Sequence, residues 1–487
     1  MLQMREIVTL QIGRTGNNIG NAFWSDICSD HGIDFQTGKS RPETLKGDTG
    51  VFFNEGKEGR HVPRTVLCDL NVQDLEQAAR QTSIYRPEAT VATDEGSGNC
   101  YAKAFHTEGP DVADKVLDLV RREIEKCSCL QGIQLFHSIT GGTGSGLGGL
   151  LLKTVSDYLD KGTGSARPII QSVAVVPGPG FSDIVLEAYN ATLAFQDALE
   201  YCDQVFVHDN TALTRICREV LSQGQPNLGE INKLIACSLS GITSSLRFPG
   251  ILNADLRKLH TNLVPFKNAH FLTSSFAPLT SPEDDAYRAF SAYDLCQQML
   301  ARENVTLSCD PLERGSKTLA SFAAFRGEFS SSEVDDVLWD LEKHGSHYDR
   351  IFPDWIPCSI SSSICQVAAP SRGNSVTYVA NSTSVHEVFD RVGADFDKMF
   401  EARSYLHRYE ENGLSNTDML EARNVVKYLG DQYRDYASWE DKLLENKLGP
   451  DGFRKVNEKA IGNEEQTQVL EELRRLQNIY INAPGRA

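Results

Sequence analysis

The sequence predicts an α/β protein with an N-terminal domain built on a parallel sheet, a smaller α/β domain and a helical C-terminal domain. Short apolar segments typical of buried strands alternate with amphipathic helical segments from Ile7 to Val207. Glycine-rich turns join strand to helix in this half, and from Ser384 onward apolar residues recur with helical spacing. Repeated alternation of strand and helix favours a parallel sheet covered by helices. The length of 487 residues is enough for several domains.

The N-terminal half supplies the strands and helices of this sheet in a regular order. Each predicted strand is a run of apolar and β-branched residues, and each predicted helix repeats its apolar residues every three or four positions. The predicted strands are Ile7–Ile12, Thr65–Leu70, Ile133–Ile139, Ile169–Val176 and Gln204–Val207. The predicted helices contain Ile19–Ile27, Val116–Ile124, Leu147–Leu159 and Ser182–Glu200.

The C-terminal half changes character twice. A long helix is expected from Leu228 to Leu246, and mixed strand and helix signals follow up to about Ala380. Two apolar helical stripes come next, Val385–Phe400 and Met419–Tyr436. Residues 438–487 have nearly balanced charge and an amphipathic helical pattern. This extension either folds back on the chain, which we favour, or binds a partner.

Composition excludes several classes of function. Lys and Arg number 48 against 66 Asp and Glu, for a formal charge of −18, so the chain as a whole repels nucleic acid and anionic membranes. The N-terminal residues lack a signal-peptide core, and no run of 18 apolar residues follows, so we expect a cytoplasmic protein. The twelve cysteines are then expected to be reduced thiols. Cys127 and Cys129 lack the second ligand pair that structural zinc requires.

The segment Thr140–Gly146 predicts a phosphate-binding loop. It lies between a strand and a helix, its glycines let backbone N–H groups converge on an anion, and Thr143 and Ser145 add hydroxyl donors. The alternative is a flexible turn. Gly144-x-Gly146-x-x-Gly149 also matches the dinucleotide fingerprint, which leaves an NAD-type oxidoreductase as a remote alternative. Gly38-Lys39-Ser40 resembles the end of a P-loop but lacks its first glycine.

The loop Thr140–Gly146 also resembles the Gly-Gly-Gly-Thr-Gly-Ser-Gly signature of tubulins. Seven further segments, in order along the chain, look like β-tubulin, and the resemblance runs from Met4 to about Tyr436. The chain therefore resembles a divergent β-tubulin. The segments are Met4–Ile7, Cys129–Gly132, Ala188–Thr192, Arg247–Gly250, Asn253–Lys258, Phe276–Ser281 and Asn381–Thr383.

The resemblance implies a GTP-binding domain at 1–226, a central helix and intermediate domain at 227–383, a C-terminal helical domain at 384–437 and an atypical extension at 438–487. It also implies GTP or GDP as the bound nucleotide. Contacts to phosphate, ribose and base would come, in chain order, from Arg14, Thr15, Asn99, Ser138, Gly142, Thr143, Gly144, Asp183, Glu187, Asn210 and Asn232. The two last asparagines would recognise guanine, since an amide both donates and accepts hydrogen bonds.

The sequence departs from the family pattern around the phosphates. Arg14 replaces a neutral glutamine in the first loop, and Asn71 replaces the glutamate of Asp-Leu-Glu, which helps to place Mg²⁺. Asp69 and Asn71 therefore form an altered metal site, and Arg14 is expected to neutralise phosphate charge that Mg²⁺ otherwise carries. The alternative is that Arg14 points into solvent. Leu228 also stands where the family has an aromatic residue that stacks on guanine.

The contact surfaces follow from the same resemblance. Tyr287 lies in the lateral-contact loop, which here carries three consecutive acidic residues. Lys258 stands where the α subunit has the glutamate that promotes hydrolysis, so the chain itself supplies no catalytic acid. Its expected partners are α-tubulin and further dimers in a filament, with microtubule-associated proteins and motors on the outer surface. The leading hypothesis is thus a β-like subunit of a polymerising heterodimer, and the alternative is a capping or stable subunit that binds GTP without hydrolysing it.

Overall fold

In the computed structural model of the chain, the residues described are 5–40, 43, 45–56, 59–162, 167–180, 184–222, 224–252, 255–279, 290–310, 315–343, 351–353, 356, 359–370 and 373–439. The strands are β1 Glu6–Ile12, β2 Phe53–Glu55, β3 His61–Pro63, β4 Thr65–Asp69, β5 Thr90–Ala92, β6 Leu130–Ser138, β7 Ile169–Val176, β8 Gln204–Asp209, β9 Gly250–Leu252, β10 Phe271–Ala277, β11 Thr318–Arg326, β12 Ile360–Cys365 and β13 Ser375–Ser382.

The α-helices cover both faces of the sheet and the outer surface of the molecule. They are α1 Gly13–His31, α2 Val72–Ala79, α3 Gly109–Glu125, α4 Gly148–Gly162, α5 Glu187–Tyr201, α6 Asn210–Arg215, α7 Leu228–Ile242, α8 Ser244–Arg247, α9 Leu256–Leu263, α10 Ala292–Leu300, α11 Ser331–Glu342, α12 His386–Glu401, α13 Leu406–Glu410 and α14 Asn416–Ala437.

Eleven of the described strands form a single sheet in the order β5-β4-β1-β6-β7-β8-β10-β13-β11-β12-β9. In this order, every pair of adjacent strands from β5 to β10 is parallel, which confirms the predicted parallel sheet. Beyond β10 the pairing is mixed, because β13 runs antiparallel to both β10 and β11. Phe271 pairs with Val205 across the β8–β10 junction, so the sheet continues from the N-terminal half into the C-terminal half.

Two of the predicted helices differ from the structure in their bounds. Helix α5 begins at Glu187 rather than Ser182, and this places a carboxylate at the positive end of the helix. The helix expected from Leu228 to Leu246 ends at Ile242, where Thr243 separates it from α8. The Thr243 hydroxyl donates to the carbonyl of Leu239 at 2.9 Å, a side-chain bond that bends helices.

The hydrophobic core lies on both faces of the sheet. Helices α3, α4 and α5 cover one face of the parallel part, while α1, α7 and α9 cover the other. The helices α12 and α14 then pack over α5, through an aromatic cluster in which Phe389 lies 5.1 Å from the rings of both Phe195 and Phe271. The outer helices α12 and α14 thus share one hydrophobic core with α5 and the sheet.

None of the described helices is both long and apolar enough to cross a membrane. The eleven cysteines within the described residues are all free thiols, as predicted. Residues 440–487, which hold most of the predicted extension, lie outside the described part of the chain. The amphipathic helix expected there stays a prediction.

Candidate functional site

The candidate site lies at the carboxyl edge of the parallel strands, where three loops meet. The first loop is the junction of β1 and α1: Ile12 ends the strand and Gly13, with a φ of +70°, begins the helix. Arg14 and Thr15 therefore lie in the first turn of α1, which contains no acidic side chain. The exposed N–H groups and the positive end of the helix dipole make this turn suited to an anion.

The second loop follows β6 and contains Gly142, Thr143 and Gly144. It passes through a π-helical turn, Thr143–Leu147, into α4. A Cβ on Gly144 would lie 2.2 Å from the carbonyl oxygen of Ser138, and a Cβ on Gly142 would lie 2.5 Å from the backbone nitrogen of Cys100. Backbone approaches backbone so closely at both positions that only glycine fits. The loop is therefore fixed in shape rather than a flexible turn.

The third loop, residues 96–100, closes onto the second. Gly96, Gly98 and Asn99 have φ values of 60°, 57° and 56°, and the value at Asn99 is unusual for a residue with a side chain. Thr143 Oγ1 donates to Ser97 Oγ at 3.2 Å. Asn99 lies beside Gly142, since a Cβ on Gly142 would lie 2.7 Å from the Asn99 carbonyl carbon. The structure thus brings together predicted phosphate residues from three separate segments.

Buried His137 supports the second loop from the sheet side. Its Nδ1 lies 2.8 Å from the Gly144 carbonyl oxygen and its Nε2 lies 2.7 Å from the Ser172 hydroxyl. Because a carbonyl only accepts hydrogen bonds, Nδ1 carries the proton and Nε2 accepts from Ser172. Burial lowers the pKa of His137 and keeps the ring neutral. The neighbouring Ser138, a predicted phosphate residue, shares a hydrogen bond of 2.8 Å with Thr140.

Asn190, on α5, also contacts the site and was missed by the sequence analysis. Its side chain donates to carbonyl oxygens of both the second and the third loop. A single asparagine in a helix ordinarily bonds to nearby backbone groups, so its presence alone did not indicate a function. The signal that could have identified Asn190 was its position in an otherwise apolar stretch, since a buried amide must find hydrogen-bond partners.

The glycines of the dinucleotide-like fingerprint have packing roles in the structure. A Cβ on Gly146 would lie 2.4 Å from the carbonyl oxygen of Tyr101, and one on Gly149 would lie 1.9 Å from a carboxylate oxygen of Asp197. These two glycines let the π-helical turn before α4 approach the backbone of Tyr101 and let α4 approach α5. Their spacing is explained without a dinucleotide.

The predicted metal residues Asp69 and Asn71 lie where β4 ends and α2 begins. Asn71 caps α2: its side-chain oxygen accepts from the Gln73 N–H at 3.0 Å, and its amide donates to Asp74 at 3.0 Å. Asp69 is 3% exposed, and its Oδ2 has no hydrogen-bond partner among the described residues. Burial first, and then the charge of Asp74, raise the pKa of Asp69 to about 7. A buried carboxylate oxygen of this kind fits a divalent cation, whereas the Asn71 side chain is already bonded within its own helix.

Arg14 lies next to this acidic group. Its Nε is 3.8 Å from Asp74 Oδ1, and its side chain is 68% exposed. In the sequence analysis, only position 71 was considered, where the family's glutamate is missing, and Asp74 was not identified. Asp74 supplies a carboxylate close to Arg14. Within the described part of the chain, no group of three or more His, Cys, Asp or Glu side chains forms a complete metal site.

The described residues predicted to hold ribose and base lie at or near the N-terminal ends of α5, α6 and α7. Glu187 is the first residue of α5 and Asn210 the first of α6, which packs against α7 where Asn232 lies. Leu228, the first residue of α7, is 59% exposed and so leaves an aliphatic surface where the family has an aromatic ring. Asp183 lies outside the described residues.

Of the two predicted contact residues, the structure describes Lys258, which lies away from the three loops. Lys258 is exposed on α9, a helix whose Leu256 and Leu259 are buried against the sheet. Its position on the surface is compatible with contact to a neighbouring subunit. Tyr287 and its acidic loop lie outside the described residues.

The chain is similar in sequence to known proteins over most of its length. The model of the Tubulin/FtsZ family GTPase domain matches residues 6–218, which include all three loops, and the model of the tubulin C-terminal domain matches residues 268–394. The chain is 40% identical over 447 residues to a tubulin beta chain of Candida albicans, covering 91% of this chain and 97% of that one. It is 41% identical over 437 residues to the tubulin beta chain of Porphyra purpurea, covering 89% and 93%. Identity is also 41%, over 439 residues, with the tubulin beta-8 chain of Oryza sativa subsp. japonica, covering 89% and 95%.

Proposed function

This chain belongs to the tubulin family, and we propose that it is the β-like subunit of a heterodimer with α-tubulin, binds GTP at the three-loop site and assembles into microtubules or related filaments. The observation that carries the proposal is the convergence of the three loops at the carboxyl edge of the sheet. Gly142 and Gly144 hold backbone N–H groups of the second loop within reach of the first turn of α1 and of Asn99. Such converging N–H groups form an anion site.

Each part of the site would contact a different part of the nucleotide. Ser138, Gly142, Thr143 and Gly144 would contact phosphate, with Asn99 closing the site and Arg14 and Thr15 contributing from the start of α1. Glu187, together with Asp183, would hold the ribose. Asn210 and Asn232, on adjacent helices, would offer donors and acceptors to the guanine edge.

Mg²⁺ bound with the nucleotide would supply positive charge beside the phosphates. Asp69 fits that role, because its buried oxygen lacks a partner among the described residues. Asp74, adjacent to Arg14, adds a second carboxylate. Arg14 would also neutralise part of the phosphate charge, so we expect nucleotide binding to this chain to depend only weakly on Mg²⁺.

Hydrolysis is expected only after assembly. Lys258 stands where a glutamate is expected to promote hydrolysis of a neighbouring subunit's nucleotide, and a lysine supplies no carboxylate for that role. The chain's own GTP would be hydrolysed when the α subunit of the next dimer completes the site. As a subunit of a cytoskeletal filament, the chain would also present its outer helices to microtubule-associated proteins and motors.

A second candidate is a subunit that retains GTP without hydrolysing it. One observation favours it: Arg14 places a permanent positive charge beside Asp74, where it would stabilise a bound nucleotide in every state. The two functions share the nucleotide site and differ in turnover after assembly.

The experiment is to co-express the chain with an α-tubulin, identify the bound nucleotide by chromatography and image what assembles when GTP is added. We expect guanine nucleotide and filaments. Gly144→Ala should lose the nucleotide, since its Cβ would collide with the Ser138 carbonyl. Gly224→Ala, whose Cβ meets nothing within 4 Å, is the matched control and should retain it. Purified wild-type complex without guanine nucleotide would overturn the proposal.

A further inference from the structure

Asn190 uses the full hydrogen-bonding capacity of its side chain to join three segments. Its Nδ2 donates to the Asn99 carbonyl at 2.9 Å and to the Thr140 carbonyl at 3.0 Å. Its Oδ1 accepts from the Tyr101 N–H at 3.0 Å and from the Tyr409 hydroxyl at 2.7 Å. A primary amide has two donor hydrogens and two acceptor sites, so all four are occupied. The residue is 0% exposed, and losing any partner would leave a buried polar group unpaired.

The two donated bonds link the second and third loops. Thr140 begins the glycine loop, and Asn99 is the residue of the third loop with a positive φ of 56°. That backbone conformation is unfavourable for a residue with a side chain and persists only where the surroundings hold it. The bond from Asn190 to the Asn99 carbonyl is one of the contacts that hold it. Asn190 therefore fixes the spacing of two loops that both face the proposed phosphates.

The fourth hydrogen bond, from the Tyr409 hydroxyl, connects Asn190 to a helix at the outer surface. Tyr409 lies on the short helix α13, where Leu406 and Tyr409 are buried while Tyr405, His407 and Arg408 are exposed. Tyr405 precedes this helix with a φ of 59°, so the segment enters α13 in another unfavourable conformation. A movement of α13 would move the Tyr409 hydroxyl, and with it the acceptor side of the Asn190 amide.

We propose that Asn190 is a positioning residue that sets the geometry of the phosphate-binding loops and couples them to α13, so that a change in α13 alters the rate at which nucleotide leaves. The proposal rests on the proposed function, because it requires a guanine nucleotide between these loops. The physical coupling is one continuous hydrogen-bonded path: Tyr409 hydroxyl, Asn190 amide and the carbonyl groups of Asn99 and Thr140.

Two substitutions separate the halves of this path. Asn190→Asp keeps an acceptor for Tyr101 and Tyr409 but removes both donors to the loops. Tyr409→Phe removes only the link to α13. The matched control is Tyr433→Phe: Tyr433 is as fully buried as Tyr409 but lies on α14, where its hydroxyl accepts from the Phe271 N–H at 3.2 Å.

The measurement is the dissociation rate of a fluorescent GDP analogue from the full-length chain. We expect about a tenfold or larger increase for Asn190→Asp, which loses two bonds, and roughly a fivefold increase for Tyr409→Phe, which loses one. Tyr433→Phe should release the analogue at the wild-type rate. Amide hydrogen exchange supplies a second readout: residues 97–102 and 139–145 should exchange faster in the first two variants, while strand β7 stays protected.

The outcomes are distinguishable. If the wild-type chain does not bind the analogue, the proposed function fails. If it binds, but Asn190→Asp releases the analogue at the wild-type rate, the positioning role is wrong. If Tyr409→Phe and Tyr433→Phe behave alike, the coupling to α13 is wrong. Should Asn190→Asp fail to fold, Tyr409→Phe and the hydrogen exchange of the loops still test the coupling. Faster exchange throughout β7 in Tyr409→Phe would indicate general destabilisation and would contradict a specific coupling.

Discussion

Asp30 and Asp69 are both buried aspartates, 6% and 3% exposed, yet their surroundings drive their acidities in opposite directions. Burial disfavours the charged form of both. At Asp30, the guanidinium groups of Arg247 and Arg326 and the Ser240 hydroxyl overcome that penalty and hold the pKa at about 2. At Asp69, the nearby charge of Asp74 adds to the penalty, and the pKa rises to about 7.

The difference distinguishes a carboxylate that stabilises the fold from one that is available to bind a cation. The Asp30 Oδ2 receives hydrogen bonds from Arg247 at 3.0 Å, Arg326 at 2.9 Å and Ser240 at 2.8 Å, so this carboxylate joins α1, α7, α8 and β11. Asp69 ends β4 with an oxygen that has no partner among the described residues. A carboxylate of the first kind supports the fold, whereas one of the second kind costs free energy until a cation arrives.

The largest effect should come from Asp30→Ala. Removing this carboxylate leaves two buried guanidinium groups without their counter-charge, and we expect the free energy of unfolding to fall by about 3–5 kcal/mol. Asp118→Ala is the control, because Asp118 also pairs with two arginines but on the surface, where the loss should stay below about 1 kcal/mol. Urea unfolding compares the two variants. Equal losses would show that burial does not distinguish these ion clusters.

The next effect concerns pH. The pKa of Asp69 is higher in the folded chain than the usual 3.8, so the folded state binds more protons between about pH 4 and 7. Stability contributed by this group therefore falls as pH rises through that window, by up to roughly 1.4 kcal/mol per pH unit. Without nucleotide or divalent cations, Asp69→Asn should remove that fall and exceed wild type in melting temperature at pH 8. Parallel melting curves for both proteins from pH 5 to 8 would contradict this account of Asp69.

Arg14→Gln should have a smaller effect, because the arginine is largely exposed and its contact with Asp74 is long. We expect GTP retention to weaken several-fold at low Mg²⁺ and less at high Mg²⁺, since the metal then supplies the missing charge. The check is nucleotide retention on a desalting column at both concentrations. Equal weakening in both conditions would mean that Arg14 does not substitute for metal charge.

The smallest effect should follow from removing residues 440–487. Every residue assigned to the nucleotide precedes this segment, so nucleotide content should be unchanged in a chain truncated after Trp439. Nucleotide content measured by chromatography, side by side with the full-length chain, tests this. Loss of nucleotide on truncation would place part of the site in the extension.

Local sequence patterns predicted the elements of the fold better than their long-range partners. The strand Ile169–Val176 and the strand–glycine–helix unit at Gly13 are visible in the sequence because apolar periodicity and glycine turns are local signals. The continuation of the sheet through the β8–β10 pair is not, since it depends on residues more than 60 positions apart. The pairing of Asp30 with Arg326, separated by 296 positions, is equally invisible.

The candidate site divides in the same way. Gly142, Thr143 and Gly144 follow one another and carry the signature of a phosphate loop. Asn190 and Asp74 had no such signature, since the importance of each comes from neighbours that folding brings to it: the Asn99 and Thr140 carbonyls for Asn190, and Arg14 for Asp74. The resemblance to tubulins predicted the residues that would contact the nucleotide. It did not reveal the side chains that hold those residues in place.

The most direct test of the proposed function is a single-turnover GTPase assay of the chain in complex with an α-tubulin, below and above the concentration at which filaments form. None of the residues assigned to the site is assigned a catalytic role, so we predict that bound GTP stays intact in the unassembled dimer. Hydrolysis per bound GTP should then begin only above the assembly concentration, when a neighbouring subunit completes the site. Equal rates per bound GTP in both regimes would contradict the account, because they would require a complete catalytic site within the chain or its heterodimer.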